Sequence, residues 1–405
     1  MLDRSINRNM ALPGRFLNLI VCHDAWWMIG AASLRCLDLT RHQFFRPPPP
    51  PEATERRRSE PSAAQHPLAT RTLPLATAME ELHLPDPTLT FQAEIADRIW
   101  RLNCFPLADR RVLCADHSGR AFPFDADTRN LVTMPSLHKP KQYPISLFVP
   151  DAGDGGGSLL VIEEVPRPEY HRRETHTSDQ FEAFVCRRKP AAAESWRCQL
   201  LPPPPYLRDS KYWQSRRSHK IAAYGVVDGG SQVCISVEGV GTYCLDTASH
   251  TWSEVGKWTL PFVGKFEYVP ELKLWFGISA AGAQNQKHLL AAADLSAMDY
   301  ASQPQLVGCW KEELEPPKEW MDCGDPQLVS LGSGRFCIAR FFALPAAPVP
   351  GFGDLKAEGY FEVLTGVEVT PSVRDGKCSG SGNGQVELQM STHKSLRCTG
   401  IQVVF

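Results

Sequence analysis

Apolar and polar residues alternate in short runs along most of this chain, and Gly, Pro, Asn or Asp separate the runs. Runs rich in Val, Ile, Phe, Tyr and Trp with a period of two are typical of β-strands. The pattern predicts strands over Val112–Ala115, Ala121–Asp125, Leu159–Glu163, Glu182–Arg187 and Phe336–Phe342. Helical periodicity is scarce and indicates short helices only over Ala93–Ile99 and Leu290–Met298. An all-β fold is therefore expected.

The segment from Lys220 to Ala280 has the clearest order of predicted strands. Turn residues such as Asp228-Gly229-Gly230 separate strands at Ile221–Val227, Gln232–Val237, Thr242–Asp246, Gly264–Tyr268 and Leu272–Ser279. About four short antiparallel strands per unit, with aromatic residues near the turns, are what one blade of a β-propeller requires.

One half of this pattern recurs along the chain. Residues 243–252 contain a strand, an Asp-Thr turn that can bond its own backbone, and a second strand that begins at Trp252. Similar patterns occur at residues 122–135, 184–202 and 34–45. Because propellers repeat their blades radially, a chain of 405 residues can form one domain. We expect an irregular propeller of about six blades, closed by pairing of the apolar C-terminal strand with N-terminal strands.

A Pro-rich segment interrupts this pattern. Five consecutive prolines at 47–51 favour the extended polyproline conformation, and the residues after them carry few apolar side chains. We therefore predict three parts. Residues 1–45 contribute strands to the first, closing blade, residues 46–78 form a disordered Pro-rich loop, and residues 79–405 complete the propeller.

Charge and cysteine usage exclude several classes of protein. The 43 Lys and Arg nearly balance 45 Asp and Glu, for a net charge of -2, so no strong field attracts nucleic acid or anionic membranes. The 13 cysteines include no Cys-x-x-Cys pair, and several lie in apolar strands, which predicts buried reduced thiols and a cytoplasmic or nuclear location. No apolar run reaches the roughly 18 residues of a membrane span, and no signal peptide is evident.

The sequence Tyr243–Trp252, with Gly229-Gly230 upstream, resembles a kelch repeat, in which a double glycine precedes a tyrosine and a blade-closing tryptophan. The whole chain resembles a grass-expanded family of plant proteins with degenerate kelch-like repeats, on residues 15–21 and 33–41 and on the weak blades that follow. The resemblance implies a kelch-like, galactose oxidase-like propeller and no established activity. The double glycine precedes only one good blade, and no F-box pattern is found.

Motifs for catalysis or metal binding are incomplete. Gly380–Gly384 lacks the apolar strand that precedes a nucleophile elbow. His171 and His176 do not align on a helix face, and nothing near Cys22-His23-Asp24 completes a ligand set. We therefore assign no catalytic residue, no cofactor and no metal ligand.

Aromatic and basic residues interleave between Tyr206 and Lys220. Such a segment can stack nucleic-acid bases, but Tyr, Trp and Arg are also the usual anchors of protein interfaces, and the net charge favours the second interpretation. The predicted partner-binding rim consists of Tyr206, Tyr212, Trp213, Arg216 and Arg217. We predict a non-enzymatic protein-interaction scaffold. The alternatives are a hydrolase or oxidase, or a sugar or small-ligand module, that uses the central channel.

Overall fold

The computed structural model describes residues 15–22, 31–42, 44–45, 79–92, 102–107, 111–126, 128–151, 156–169, 176–189, 192–212, 219–280, 289–311, 314–345, 357–371, 386–398 and 401–405. The Pro-rich loop predicted at 46–78 and the helix predicted at Ala93–Ile99 lie outside these residues.

The described strands form six antiparallel blades, and in each blade the innermost strand is named first. Blade I consists of β26 (Ile401–Val404), β1 (Phe16–Cys22), β2 (Ala31–Asp38) and β4 (Pro87–Gln92). Blade II consists of β5 (Leu102–Pro106), β6 (Arg111–Asp116), β7 (Ala121–Asp125) and β8 (Asn130–Leu131). Blade III consists of β9 (Pro144–Pro150), β10 (Gly157–Glu163), β11 (Ser178–Lys189) and β12 (Ala192–Leu201).

The other three blades follow the same order. Blade IV consists of β13 (Ile221–Val227), β14 (Gln232–Val237), β15 (Gly241–Asp246) and β16 (Trp252–Gly256). Blade V consists of β17 (Phe262–Val269), β18 (Leu274–Ser279), β19 (Leu289–Ala293) and β20 (Leu306–Lys311). Blade VI consists of β22 (Gln327–Gly332), β23 (Arg335–Pro345), β24 (Ala357–Pro371) and β25 (Val386–Cys398), flanked by β21 (Met321–Asp322) and β3 (Glu80–Leu82). Short 3-10 helices lie at Pro205–Arg208, Ser210–Tyr212 and Asp228–Gly230.

The blades form a ring. The innermost strands contact one another in sequence from β5 through β9, β13, β17 and β22 to β26. Each pair of neighbouring blades encloses its own cluster of buried apolar side chains, and such clusters follow one another around the whole ring, including between blades I and II. The chain is therefore an irregular six-bladed β-propeller, as the sequence predicts.

Blades IV and V approach each other most closely. Their innermost strands β13 and β17 pair in parallel, so the two blades share one continuous sheet. Gly225 in β13 makes this approach possible, because a Cβ atom at this position would lie only 2.4 Å from the ring of Phe266 in β17.

Both ends of the described chain contribute to blade I. Strand β26 pairs with β1, with Leu19 opposite Val404, and the backbone of Asn18 exchanges hydrogen bonds of 2.7 and 3.0 Å with that of Phe405. The apolar C-terminal strand therefore closes the ring, as its sequence predicts.

The recurring sequence pattern lies at the end of the third strand in several blades. Asp246, Asp125 and Asp38 end the third strands of blades IV, II and I, and their Oδ1 atoms accept hydrogen bonds from backbone N–H groups two or three residues later. This turn is the local backbone bonding that the Asp-Thr pattern predicts.

The helix predicted over Leu290–Met298 is wrong, because strand β19 and a turn occupy these residues. Leu290 and Ala292 pack towards blade VI, whereas Ala291 and Ala293 pack towards blade IV. Alanine favours helices in isolation, but here both faces of the segment are buried between blades, and the small side chains fit a strand between them.

The tryptophan of the kelch-like pattern connects two blades. Trp252 Nε1 donates a 2.8 Å hydrogen bond to the backbone carbonyl of Pro202, and its ring meets Phe181 of blade III edge-on at 6.2 Å.

We expect Trp252→Phe to lower the free energy of unfolding by about 1–2 kcal/mol, because it removes this bond and part of the packed ring. Urea denaturation measures the change, and Tyr300→Phe, at an exposed ring, is the control. An unchanged urea midpoint in Trp252→Phe would contradict the expectation.

Cysteine placement agrees with the predicted buried thiols. Among the cysteines whose side chains the structure describes, none forms a disulfide and most are buried. Within the described ranges, no helix is long and apolar enough to cross a membrane.

Candidate functional site

One face of the propeller carries the loops of interest, and we call it the entry face. The innermost strand of each blade begins there, so the face holds the connections between successive blades and those between second and third strands. In propellers, loops on such a face are positioned by a rigid scaffold and are free to carry function.

The entry face has a cavity of about 460 Å³ between blades III and IV, which we call the III–IV cavity. Its described lining comes from the connection before β9, the loop after β10, strand β11 and the connection before β13. The lining residues are Lys139, Pro140, Gln142, Tyr143, Glu163, Val165, Pro166, Arg167, Pro168, Gln180, Tyr206, Leu207, Tyr212 and His219. Tyr143 and Val165 stand at its edge and are 70% and 39% exposed. An apolar edge of this kind is typical of binding surfaces.

Tyr143 adopts an unusual backbone conformation. Its φ of 49° lies in the left-handed region, which is uncommon for a bulky residue. The carbonyl of Tyr143 accepts a hydrogen bond from the backbone N–H of Glu164 at 3.2 Å, so the loop after β10 holds this conformation in place. Strained residues of this kind concentrate at functional sites.

Aromatic rings form one wall of the III–IV cavity. Tyr206 is only 1% exposed and meets Tyr212 and His219 edge-on at 6.1 and 6.4 Å. Burial raises the pKa of the Tyr206 phenol, with a smaller contribution from Tyr243, so the group is neutral. Within the described part of the chain its Oη atom has no hydrogen-bond partner.

His219 presents a second polar atom at this wall. Its Nδ1 lies 3.1 Å from the backbone carbonyl of Glu238, which only accepts, so Nδ1 carries the proton. In the neutral ring Nε2 is then an acceptor, and it is buried without a partner among the residues described.

The structure places the predicted rim residues in different environments. Tyr206 does not reach the surface, because it packs in the apolar cluster between blades III and IV, and it supports the cavity from within. Tyr212 is half-buried and lines the cavity. Trp213, Arg216 and Arg217 lie outside the described residues.

A second cavity, of about 550 Å³, occupies the central channel. Lys220 Nζ bonds Glu164 at 3.2 Å and Asp325 at 3.1 Å, which ties blades III, IV and VI together. Burial alone lowers the pKa of Lys220, but the two carboxylates outweigh it and raise the pKa above its ordinary value. Lys220 therefore offsets one of the two carboxylate charges that it contacts.

A buried carboxylate lies below the segment 139–143. Glu182 in β11 is fully buried and bonds the Lys141 ammonium through Oε1, while its Oε2 lies 2.7 Å from His138 Nδ1 and 3.3 Å from Cys198 Sγ. The backbone N–H of His138 also donates to Oε2, at 2.8 Å. Glu182, His138 and Cys198 could together hold a metal ion, since their ligand atoms all lie within 4.8 Å of one another.

The ionisation of this cluster follows from its contacts. Burial alone raises the pKa of Glu182, but the bonds from Lys141 and His138 outweigh it and hold the pKa below its ordinary value. Burial, together with the nearby Glu182 charge, raises the pKa of the Cys198 thiol to about 12. The cluster therefore contains a carboxylate and a neutral thiol.

The sequence patterns do not identify this cluster. Its members lie 44 and 60 positions from His138 along the chain, so no short spacing connects them. The one local signal is Lys141, a lysine between Pro140 and Pro144 in a segment that is otherwise ordinary loop sequence. Only the pairing of β11 with β12 brings Glu182 and Cys198 together.

Several solved propeller structures resemble parts of this chain. The β-propeller domain of Cps50 (Swd1) from Myceliophteria thermophila matches at 9% identity with a TM-score of 0.27, over 65% of this chain and 96% of that domain. KlHsv2 with a replaced loop matches at 7% identity and a TM-score of 0.31, over 93% and 99% of the two chains. A putative 6-phosphogluconolactonase from Bacteroides fragilis matches at 10% identity and a TM-score of 0.32, over 85% and 94%. Because these TM-scores are low, the fold is assigned from the strand pairing described above.

The sequence itself gives a more specific relationship. No curated protein matches the chain. One family model, described as a protein of unknown function (DUF1668), matches residues 14–399, which include strands of all six blades. The chain therefore belongs to the DUF1668 family.

Proposed function

We propose that this chain is a non-enzymatic protein-interaction scaffold of the kelch-propeller type, which binds a protein partner at the III–IV cavity. The observation that carries the proposal is Tyr143, a 70% exposed aromatic residue held in a left-handed backbone conformation at the edge of the cavity. Folding gains little from such a residue, whereas a partner that covers it gains a large apolar contact.

The surroundings of Tyr143 support a partner with an apolar anchor and an acidic border. Val165 adds exposed apolar surface beside Tyr143, and the cavity behind them has room for side chains from a partner. Lys139 and Arg167 also line the cavity and place positive charge at its edge. Apolar anchors surrounded by charged groups are typical of protein interfaces.

The predicted rim is part of this proposal. Tyr212, Trp213, Arg216 and Arg217 belong to the connection that contains the cavity wall, and we propose that they extend the contact with the partner, with Tyr206 supporting them from the core.

A central-channel enzyme, or a sugar or small-ligand module, is the alternative. The contacts of Lys220 with Glu164 and Asp325 support the scaffold, because they raise the pKa of this lysine, whereas a lysine that acts as a base needs a lowered pKa. We therefore include no catalytic residue and no cofactor in the proposal.

The finer assignments from the sequence belong to the same proposal. They are the kelch-like character, the relationship to a grass-expanded plant family, and the division of the chain into residues 1–45, 46–78 and 79–405. A cytoplasmic or nuclear location is supported by the described cysteines, which form no disulfide and are mostly buried. The net charge of -2 gives no support to a nucleic-acid or membrane partner.

The proposal is tested by comparing partners captured by the wild-type chain and by Tyr143→Ala. Proximity labelling in plant cells, read by quantitative mass spectrometry, identifies proteins enriched by the wild type. We expect Tyr143→Ala to reduce the enrichment of a reproducible partner about tenfold or more, as loss of an interface anchor does.

Tyr300→Ala is the matched control, because Tyr300 is also an exposed tyrosine but lies between β19 and β20, on the opposite face. It should leave the partner enriched. Equal enrichment by Tyr143→Ala and the wild type, or no reproducible partner of the wild type, would overturn the proposal.

A further inference from the structure

Three potential metal ligands, of which one is buried and one exposed, meet beside blade III. His138 Nδ1, Glu182 Oε2 and Cys198 Sγ form a triangle with sides of 2.7, 3.3 and 3.7 Å. Zinc bonds to sulfur, nitrogen and oxygen at tetrahedral angles would separate such atoms by about 3.3–3.6 Å. Two sides of the triangle therefore already have nearly the required lengths, and the third must lengthen by about 0.6 Å.

We propose that His138, Glu182 and Cys198 form a binding site for a divalent transition-metal ion, for which zinc is the best match. A thiolate, an imidazole and a carboxylate are all established zinc ligands, whereas a sulfur ligand disfavours magnesium and calcium. This site is independent of the proposed partner-binding function, since none of its three ligands lines the III–IV cavity.

Binding requires only small rearrangements of protons. The thiol and the Nδ1 of His138 both contact Glu182 Oε2 in the ion-free arrangement. On binding, the thiol releases its proton to solvent, and the imidazole carries its proton on Nε2 so that Nδ1 coordinates the ion. The side chain of His138 is 46% exposed, which leaves a path for the ion and a position for a water molecule as the fourth ligand.

The carboxylate is already oriented for this role. Lys141 Nζ and the backbone N–H of Lys139 bond Oε1, so Oε2 is the oxygen that faces His138 and Cys198. Outer contacts of this kind position metal ligands. The positive charge of Lys141 repels the ion. The Glu182 carboxylate and the Cys198 thiolate carry two negative charges, so the site as a whole is negative and attracts a divalent cation.

Cobalt and zinc titrations of the metal-free, full-length chain test the proposal. We expect one equivalent of Co²⁺ to produce sulfur-to-cobalt charge-transfer absorption, and one equivalent of Zn²⁺ to abolish it by displacement. Cys198→Ser should remove this absorption, and His138→Ala should weaken zinc binding by more than the roughly 10- to 100-fold that loss of an outer contact costs.

Cys309→Ser is the matched control, because Cys309 is an exposed cysteine in blade V, and it should bind both ions as the wild type does. Circular dichroism and thermal unfolding without metal show whether each variant is folded. The proposal is overturned if the folded wild type gives no charge-transfer absorption, if that absorption persists in Cys198→Ser, or if zinc binds the wild type and His138→Ala equally.

Discussion

Lys141→Met is expected to lower the free energy of unfolding by about 3–5 kcal/mol, because it leaves the Glu182 carboxylate buried without its cationic partner. Both side chains of this pair are fully buried. Methionine retains most of the volume of the lysine stem, so the loss reflects mainly the unpaired charge. Urea denaturation at neutral pH, followed by circular dichroism, measures the change.

A second variant separates charge from packing. In Lys141→Met combined with Glu182→Gln, the amide oxygen of glutamine can still accept one of the two backbone hydrogen bonds that Glu182 receives, from His138 at Oε2 or from Lys139 at Oε1. Because no charge remains, we expect this double variant to be more stable than Lys141→Met alone.

An exposed ion pair provides the control for Lys141→Met. Lys257 and Glu254 are 3.0 Å apart, but the Lys257 side chain is 56% exposed, so Lys257→Met should produce no measurable change. The expectation would be contradicted if Lys141→Met also left the urea midpoint unchanged, or if the double variant were less stable than the single one. Either result would show that the protein does not need the Lys141 ammonium to keep the Glu182 carboxylate buried.

The sequence predicts the blades well where turn residues delimit each strand. In blade IV, Gly and Asp residues separate the predicted strands, and the predicted Gln232–Val237 coincides with β14. The prediction fails over Leu290–Met298, where alanines favour a helix locally but burial on both faces selects a strand. Local preference is weak beside the packing of two neighbouring blades.

The candidate site is less predictable than the fold. Interleaved aromatic and basic residues point to the segment 206–220, but the pattern cannot distinguish Tyr206, which lies in the core, from residues at the surface. The exposure and backbone conformation of Tyr143 depend on the neighbouring loop after β10. Side chains from different segments meet only after the blade has formed, so their spacing in the sequence carries no signal.

Glu362→Gln is expected to stabilise the protein at neutral pH. Glu362 lies in β24 of blade VI, is 2% exposed, and its Oε2 has no hydrogen-bond partner among the residues described. Burial raises the pKa of Glu362, against a smaller lowering by the hydrogen bond from the backbone of Ile401. A buried acceptor without a partner costs about 1–3 kcal/mol, and more when it is charged.

The pH dependence distinguishes this cause from a change in packing. In the unfolded chain the glutamate has a pKa of about 4.3, whereas the folded group keeps its proton to higher pH. The folded state therefore binds more protons above that value, and wild-type stability falls as pH rises until the folded group also ionises. We expect the free energy of unfolding of Glu362→Gln to match that of the wild type near pH 4 and to exceed it by about 1–3 kcal/mol at pH 7.

Glu271→Gln is the control, because Glu271 is exposed, and its stability should follow that of the wild type throughout. A constant difference between Glu362→Gln and wild type across this range would show that shape, and not ionisation, determines the effect.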